Sequence, residues 1–172
     1  MKNKLTSSDN EFVISRVFNA PVERVWKTWT VPGEIMKWWG PQGFTAPYAK
    51  VDLRKGGSYL YCMRGTMGDF AGTDFWSGGE FKEVDAPHRL VLTDYFTNEK
   101  GEKMDPVSYG MSADFPKEST VTILFEPAGK KTRLSIIYIL PESEASREAI
   151  RKSGMEEGWN SSLDRFQKIV EG

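Results

Sequence analysis

A single cysteine, Cys62, and a single histidine, His88, are all this sequence has of the two residue types that most often carry redox and metal chemistry. One thiol cannot form an internal disulfide, and one thiol with one imidazole cannot build a zinc thiolate or His-cluster centre. A triad that needs histidine has only His88, which sits in a Pro87-His88 turn between two strand-like runs and reads as a solvated turn residue. Nothing in the sequence supplies Cys62 with a base, so it reads as a small apolar strand residue rather than a nucleophile. An excess of charge is missing too: 23 Lys and Arg face 24 Asp and Glu, a formal net charge of -1. That balance argues against a nucleic-acid partner. No stretch approaches eighteen consecutive apolar residues, so no membrane span is expected. The opening MKNKLTSSDNE is polar, with no signal-peptide core, and the expected location is the cytoplasm. Gly56-Gly57 and Gly78-Gly79 lack the strand–loop–helix setting of a phosphate loop, so no nucleotide site follows from them. The expectation is therefore a protein with neither metal nor cofactor.

What is present is aromatic: 13% of the 172 residues, including six tryptophans, within a hydrophobic fraction of 39%. A chain of this length buries roughly 70% of its unfolded surface and needs no staples. One domain over 12–170 is expected, preceded by a flexible polar segment, 1–11. Its first element is the β-rich run Phe12–Phe18, ending at Asn19-Ala20-Pro21. Val22, Val25, Trp26 and Trp29 then recur at i, i+3, i+4 and i+7, one apolar helical face. Pro32-Gly33 is expected to end that helix, and a second short one to run from Glu34 to Trp39. Beyond this the period changes to two. Strands are expected near Ala49–Leu53, Ser58–Arg64, Phe75–Val84, Arg89–Thr97, Ser119–Glu126 and Thr132–Leu140. The short turns between them favour antiparallel hairpins. From Ser143 to Val170 a single long helix is expected, with Met155, Trp159, Leu163, Phe166 and Val170 on its apolar face. Gly154 and Gly158 interrupt it at about 1 kcal/mol each relative to alanine, which suggests a close approach of the helix backbone to a neighbour. The fold class is α+β, an antiparallel sheet covered by the terminal helix.

The order of several motifs adds a resemblance. The stretch from Asn19-Ala20-Pro21-Val22 through Trp26 and Trp29, with Lys37-Trp38-Trp39-Gly40-Pro41, resembles the opening of the activator-of-heat-shock-protein-ATPase homologue family. Asp52-Leu53-Arg54-Lys55-Gly56-Gly57, Met63-Arg64-Gly65, Gly79-Glu80-Phe81, Pro87-His88-Arg89-Leu90 and Gly158-Trp159 continue the match in order. That family lies in the SRPBCC, or START-like, superfamily. The resemblance implies a helix-grip fold, in which a curved antiparallel sheet wraps a long C-terminal helix with two short helices after the first strand. It also implies an apolar cavity between sheet and helix. Thr66–Gly72 is longer and more apolar than the family's usual Gly-Pro-Asp-Gly turn, so the hairpin tip departs from the pattern.

The candidate ligand-binding residues are Trp38, Tyr59, Tyr61, Met63, Phe81, Leu92, Asp94, Phe96, Trp159 and Leu163. Leu90, Leu92, Asp94 and Phe96 share one strand face by alternation, so inward leucines bring Asp94 inward with them. There it is either a desolvated carboxylate, suited to orient a ligand or act as a base, or an ordinary partner of an arginine or a backbone N–H. Tyr59, Tyr61 and Met63 share the next face, as pocket lining or as core. Trp38 and Trp39 cannot both face one side of a helix, so one is expected to be buried and the other to close a pocket mouth or stay at the surface. The run from Asn98 to Glu118, carrying Met104, Tyr109, Met111 and Phe115, is long for a loop and reads as a lid or a packed surface loop. Three functions remain open: binding of an apolar or amphipathic small molecule; a cochaperone-like interaction module, implied only by the family name; and a cyclase- or hydrolase-type enzyme using Asp94 and a cavity tyrosine. The sequence also leaves a homodimer open.

Overall fold

The structure is a computed structural model and describes residues 10–172. Seven strands form one sheet: β1 (Glu11–Phe18), β2 (Phe44–Val51), β3 (Ser58–Gly65), β4 (Asp74–Asp85), β5 (Arg89–Thr97), β6 (Ser119–Ala128) and β7 (Lys131–Ile139). Their spatial order is β1-β7-β6-β5-β4-β3-β2. Every neighbouring pair is antiparallel, from Glu11↔Ile139 at one edge to Val51↔Tyr59 at the other. The polar segment expected over 1–11 falls outside the described residues except for Asn10 and Glu11, and Glu11 already belongs to β1. Strict alternation on β1 turns Phe12, Ile14, Arg16 and Phe18 inward.

The sheet curls, and Gly79 on β4 shows how. A Cβ at that position would lie 1.8 Å from the Thr93 carbonyl oxygen, so only glycine lets β4 approach β5 this closely. Two residues further on the pairing slips between Phe81 and Glu83, a bulge that adds to the bend. β2 begins five residues before the expected Ala49, because Pro47 is accommodated rather than excluded. It falls at the register shift between Thr45 and Tyr48 on an edge strand, where its missing N–H is tolerated.

Helix α1 (Val22–Thr30) and helix α2 (Pro32–Trp38) follow β1 as expected, but Pro32 opens α2 instead of only ending α1. The single helix expected over 143–170 is two: α3 (Glu144–Lys152) and α4 (Met155–Glu171). Gly154 makes the break with φ +80°, a left-handed conformation in which an L side chain is strained. Gly158 needs a different account from the close approach expected of it, since a Cβ there would meet nothing within 4 Å.

The C-terminal half of α4 sits on the concave side of the sheet. Leu163, Phe166 and Val170 are buried there with Phe18, Trp29 and Trp38. Phe166 meets Phe18, Trp38 and Trp29 edge-on, with ring centroids 5.1, 4.9 and 5.7 Å away. Burial of side chains of this size stabilises by about 1.5–3 kcal/mol each. Arg16, inward on β1, donates to Asp164 Oδ1 at 2.8 Å and to Gln167 Oε1 at 3.2 Å, which ties the edge strand to α4. Among the described residues no helix is long and apolar enough to cross a membrane.

Candidate ligand pocket

Alternating strand direction gathers the end of β3, the start of β4, the end of β5, the start of β6 and the end of β7 at one end of the sheet. The N-terminal half of α4 lies over this end, and between them is a cavity of about 320 Å³. Met63, Phe75, Ser77, Asp94, Phe96, Ser119 and Tyr138 line it from the sheet; Met155, Gly158, Trp159 and Ser162 line it from α4. The segment after α2 adds Trp39, Gly40, Pro41 and Phe44. Arg165 of α4 holds that segment in place. Its guanidinium donates to the carbonyls of Gly40 at 2.8 Å and Phe44 at 3.0 Å, so backbone oxygens rather than a carboxylate satisfy it.

Asp94 is half-buried and is the sole charged side chain in the pocket wall among the described residues. The alternative of an arginine partner does not hold, since no described cation pairs with it. Among the described residues its one hydrogen-bond contact is the Tyr59 hydroxyl, 3.5 Å from Oδ1. That hydroxyl has a single proton and already sits 2.6 Å from the Thr93 carbonyl oxygen, so the carboxylate receives little of it. Burial therefore dominates and pushes the Asp94 carboxyl up to about 6, with Tyr59 opposing weakly.

Tyr138 is a second polar group in the wall, and the alternation of β7 carries no signal that would have singled it out. Its oxygen accepts from Trp159 Nε1 at 3.0 Å, leaving its own proton free for the pocket. Burial first, then Asp94, pushes the Tyr138 hydroxyl well above its ordinary pKa. Trp159 in turn stacks on Trp29 at 5.8 Å and meets Trp39 edge-on at 5.6 Å, which fixes the ring that orients Tyr138.

Of the residues singled out in the sequence, Met63, Asp94, Phe96 and Trp159 lie in the pocket wall. Tyr59, Tyr61, Phe81, Leu92 and Leu163 point to the same side but belong to the packed core. Tyr61 lies next to the wall, its ring 4.6 Å from that of Trp39. Trp38 is fully buried and donates its Nε1 to the Thr28 carbonyl at 3.0 Å; its neighbour Trp39 is the one that reaches the pocket. Cys62 faces away and is buried, and burial pushes its thiol up to about 11. His88 is exposed in the β4–β5 turn.

The segment 98–118 is neither structureless nor free. It contains a 3-10 turn at Pro106–Tyr109 and docks through rings: Tyr109 lies 5.2 Å from Phe96 and 5.7 Å from Phe75, and Phe115 lies 6.1 Å from Phe96. Met111, Phe115 and Pro116 line the pocket from this side.

A curled antiparallel sheet gripping a C-terminal helix, with a pocket at one end of the grip, defines a helix-grip protein of the START-like class. Within that class the chain belongs to the Activator of Hsp90 ATPase homolog 1-like family, whose model matches residues 19–171. No curated protein matches it. A solution structure from Arthrobacter aurescens is 27% identical with a TM-score of 0.81, covering 98% of this chain and 91% of that one. A crystal structure of a protein from Mycobacterium smegmatis is 25% identical with a TM-score of 0.78, covering 99% and 96%. An AHSA1 protein from Silicibacter pomeroyi is similar in fold, at 21% identity and a TM-score of 0.68 over 92% and 95% of the two chains.

Proposed function

We propose that this protein binds one apolar or amphipathic small molecule in the pocket between the sheet end and α4. The observation that supports this most is a cavity of about 320 Å³ with aromatic and thioether walls and few polar groups, Asp94 and Tyr138 foremost. Small-molecule sites have this character, predominantly apolar with a few polar groups that fix orientation. The volume lies at the lower end of the usual range of about 300–1,000 Å³, which suits a compact ligand. A second reading rests on the same carboxyl: a base with a pKa of about 6 and the Tyr138 proton in one pocket wall also suit proton transfer in a cyclase or hydrolase.

The neutral fluorophore N-phenyl-1-naphthylamine tests the binding reading. It is expected to bind one per chain and to quench the pocket tryptophans Trp39 and Trp159. Native mass spectrometry of protein purified from its own cell is expected to show a retained mass that the fluorophore displaces. Absence of both a retained mass and saturable fluorophore binding would remove the reading.

A further inference from the structure

We infer that the pocket recognises an organic cation: an amine with an apolar body, its ammonium on the Asp94 carboxylate and its carbons against the aromatic walls. This deepens the binding reading above and rests on it. The charge pattern carries the inference. Asp94 is an anion facing the cavity, and among the described residues no lysine, arginine or histidine lines the wall with it. A buried carboxylate is normally matched by a cation or by several N–H donors. Here the one donor within hydrogen-bond distance among the described residues, Tyr59, has its proton committed to Thr93, and no hydrogen bond joins Tyr138 to the carboxylate. An ammonium entering the pocket supplies the missing counter-charge, which an alcohol does only in part and a carboxylate not at all. Trp39, Phe96, Tyr138 and Trp159 share the wall, and aromatic rings attract cations when desolvated.

The titratable groups around Asp94 set the pH dependence. Tyr59 and Tyr61 on β3, Tyr95 on β5 itself and Tyr138 on β7 face it or lie near it. Burial raises the pKa of Tyr59, Tyr61 and Tyr138, so those three stay neutral throughout the working range. β6 contributes Ser119 and α4 contributes Trp159 and Ser162, none of which titrates. Asp94 is thus the group that changes charge, and its proton must leave before the ammonium can pair with it.

Three probes with one apolar body separate the possibilities: 4-phenylbutylamine, 4-phenylbutanol and 4-phenylbutyrate, followed by calorimetry and tryptophan fluorescence. At pH 7.5 the amine is expected to bind at least tenfold more tightly than the alcohol, and the carboxylate most weakly. Below about pH 6 the amine's affinity should fall about tenfold per pH unit while the alcohol's stays level. Asp94→Asn should abolish the amine's preference and leave the alcohol within about threefold; the wild-type pH series carries the same test should the variant not fold. Equal binding of amine and alcohol by the wild type, or a preference that survives Asp94→Asn, overturns the cation inference and leaves the pocket reading standing. Binding of none of the three overturns both.

Discussion

At the scale of one residue, Asp94 is a carboxyl whose charge is opposed by its own burial. Its folded pKa, about 6, lies above the unfolded value of about 3.9, so the folded state holds the proton more tightly. Well below the unfolded value both states are protonated and the residue costs nothing electrostatically. Between about pH 4 and pH 6 the unfolded chain ionises first, so stability falls as pH rises, and above pH 6 the loss is complete. A shift of this size corresponds to roughly 2–3 kcal/mol. Asp94→Asn is therefore expected to raise stability at pH 7.5 by up to about 2 kcal/mol and to have little effect at pH 3.5. Paired urea titrations at the two pH values check this. A variant less stable than wild type at pH 7.5 would mean that the carboxylate is satisfied in the folded protein.

Gly154 decides how the C-terminal helical segment is divided at the scale of elements. Its φ of +80° ends α3 and starts α4, and a Cβ there would meet nothing within 4 Å. The cost of Gly154→Ala is thus backbone strain alone, expected at about 1–2 kcal/mol, with Gly154→Asn losing less because asparagine tolerates the left-handed region. Chemical denaturation of the two variants measures both. A stabilised alanine variant would show that the break does not depend on this conformation. The sequence pattern across 143–170 reads as one helix because Met155, Trp159, Leu163, Phe166 and Val170 keep their spacing on the C-terminal side, and a lone glycine is compatible with either a tolerated interior residue or a break. Positive φ leaves no trace in periodicity. The strands were far more legible: alternation placed β1 and β3 to β7 to within a few residues, and only β2, which carries an edge proline in its interior, began elsewhere. For the pocket, alternation revealed which face Tyr59, Tyr61, Met63, Leu92, Asp94 and Phe96 share, but not how far along the sheet each one lies. That depth is set by curl and by the path of α4. It separates Met63, Asp94 and Phe96, in the pocket wall, from Tyr59 and Leu92, in the packed core.

Across the whole molecule α4 does two jobs in sequence, with its C-terminal half filling a core and its N-terminal half roofing a cavity. Leu163 is 1% exposed within the core, and Leu163→Ala is expected to cost about 2–5 kcal/mol, whereas Met63→Ala at the cavity wall should cost less and alter binding instead. Gly158 tests the division more sharply, because it lies in α4, lines the pocket and leaves the space beyond its Cα empty. Replacing a helical glycine with a better helix former gains roughly 0.5–1 kcal/mol from the backbone. Gly158→Ala is therefore expected to stabilise the protein with modest change in binding. Gly158→Leu should keep that gain, since its side chain enters a vacant apolar space, and at the same time occupy the volume a ligand needs. Stability and affinity should thus move in opposite directions: a thermal midpoint at or above wild type, with N-phenyl-1-naphthylamine binding reduced at least tenfold. If Gly158→Leu instead destabilises by more than about 1 kcal/mol, the leucine has met side chains already packed there. The cavity would then be closed in solution, and the core would extend the full length of α4.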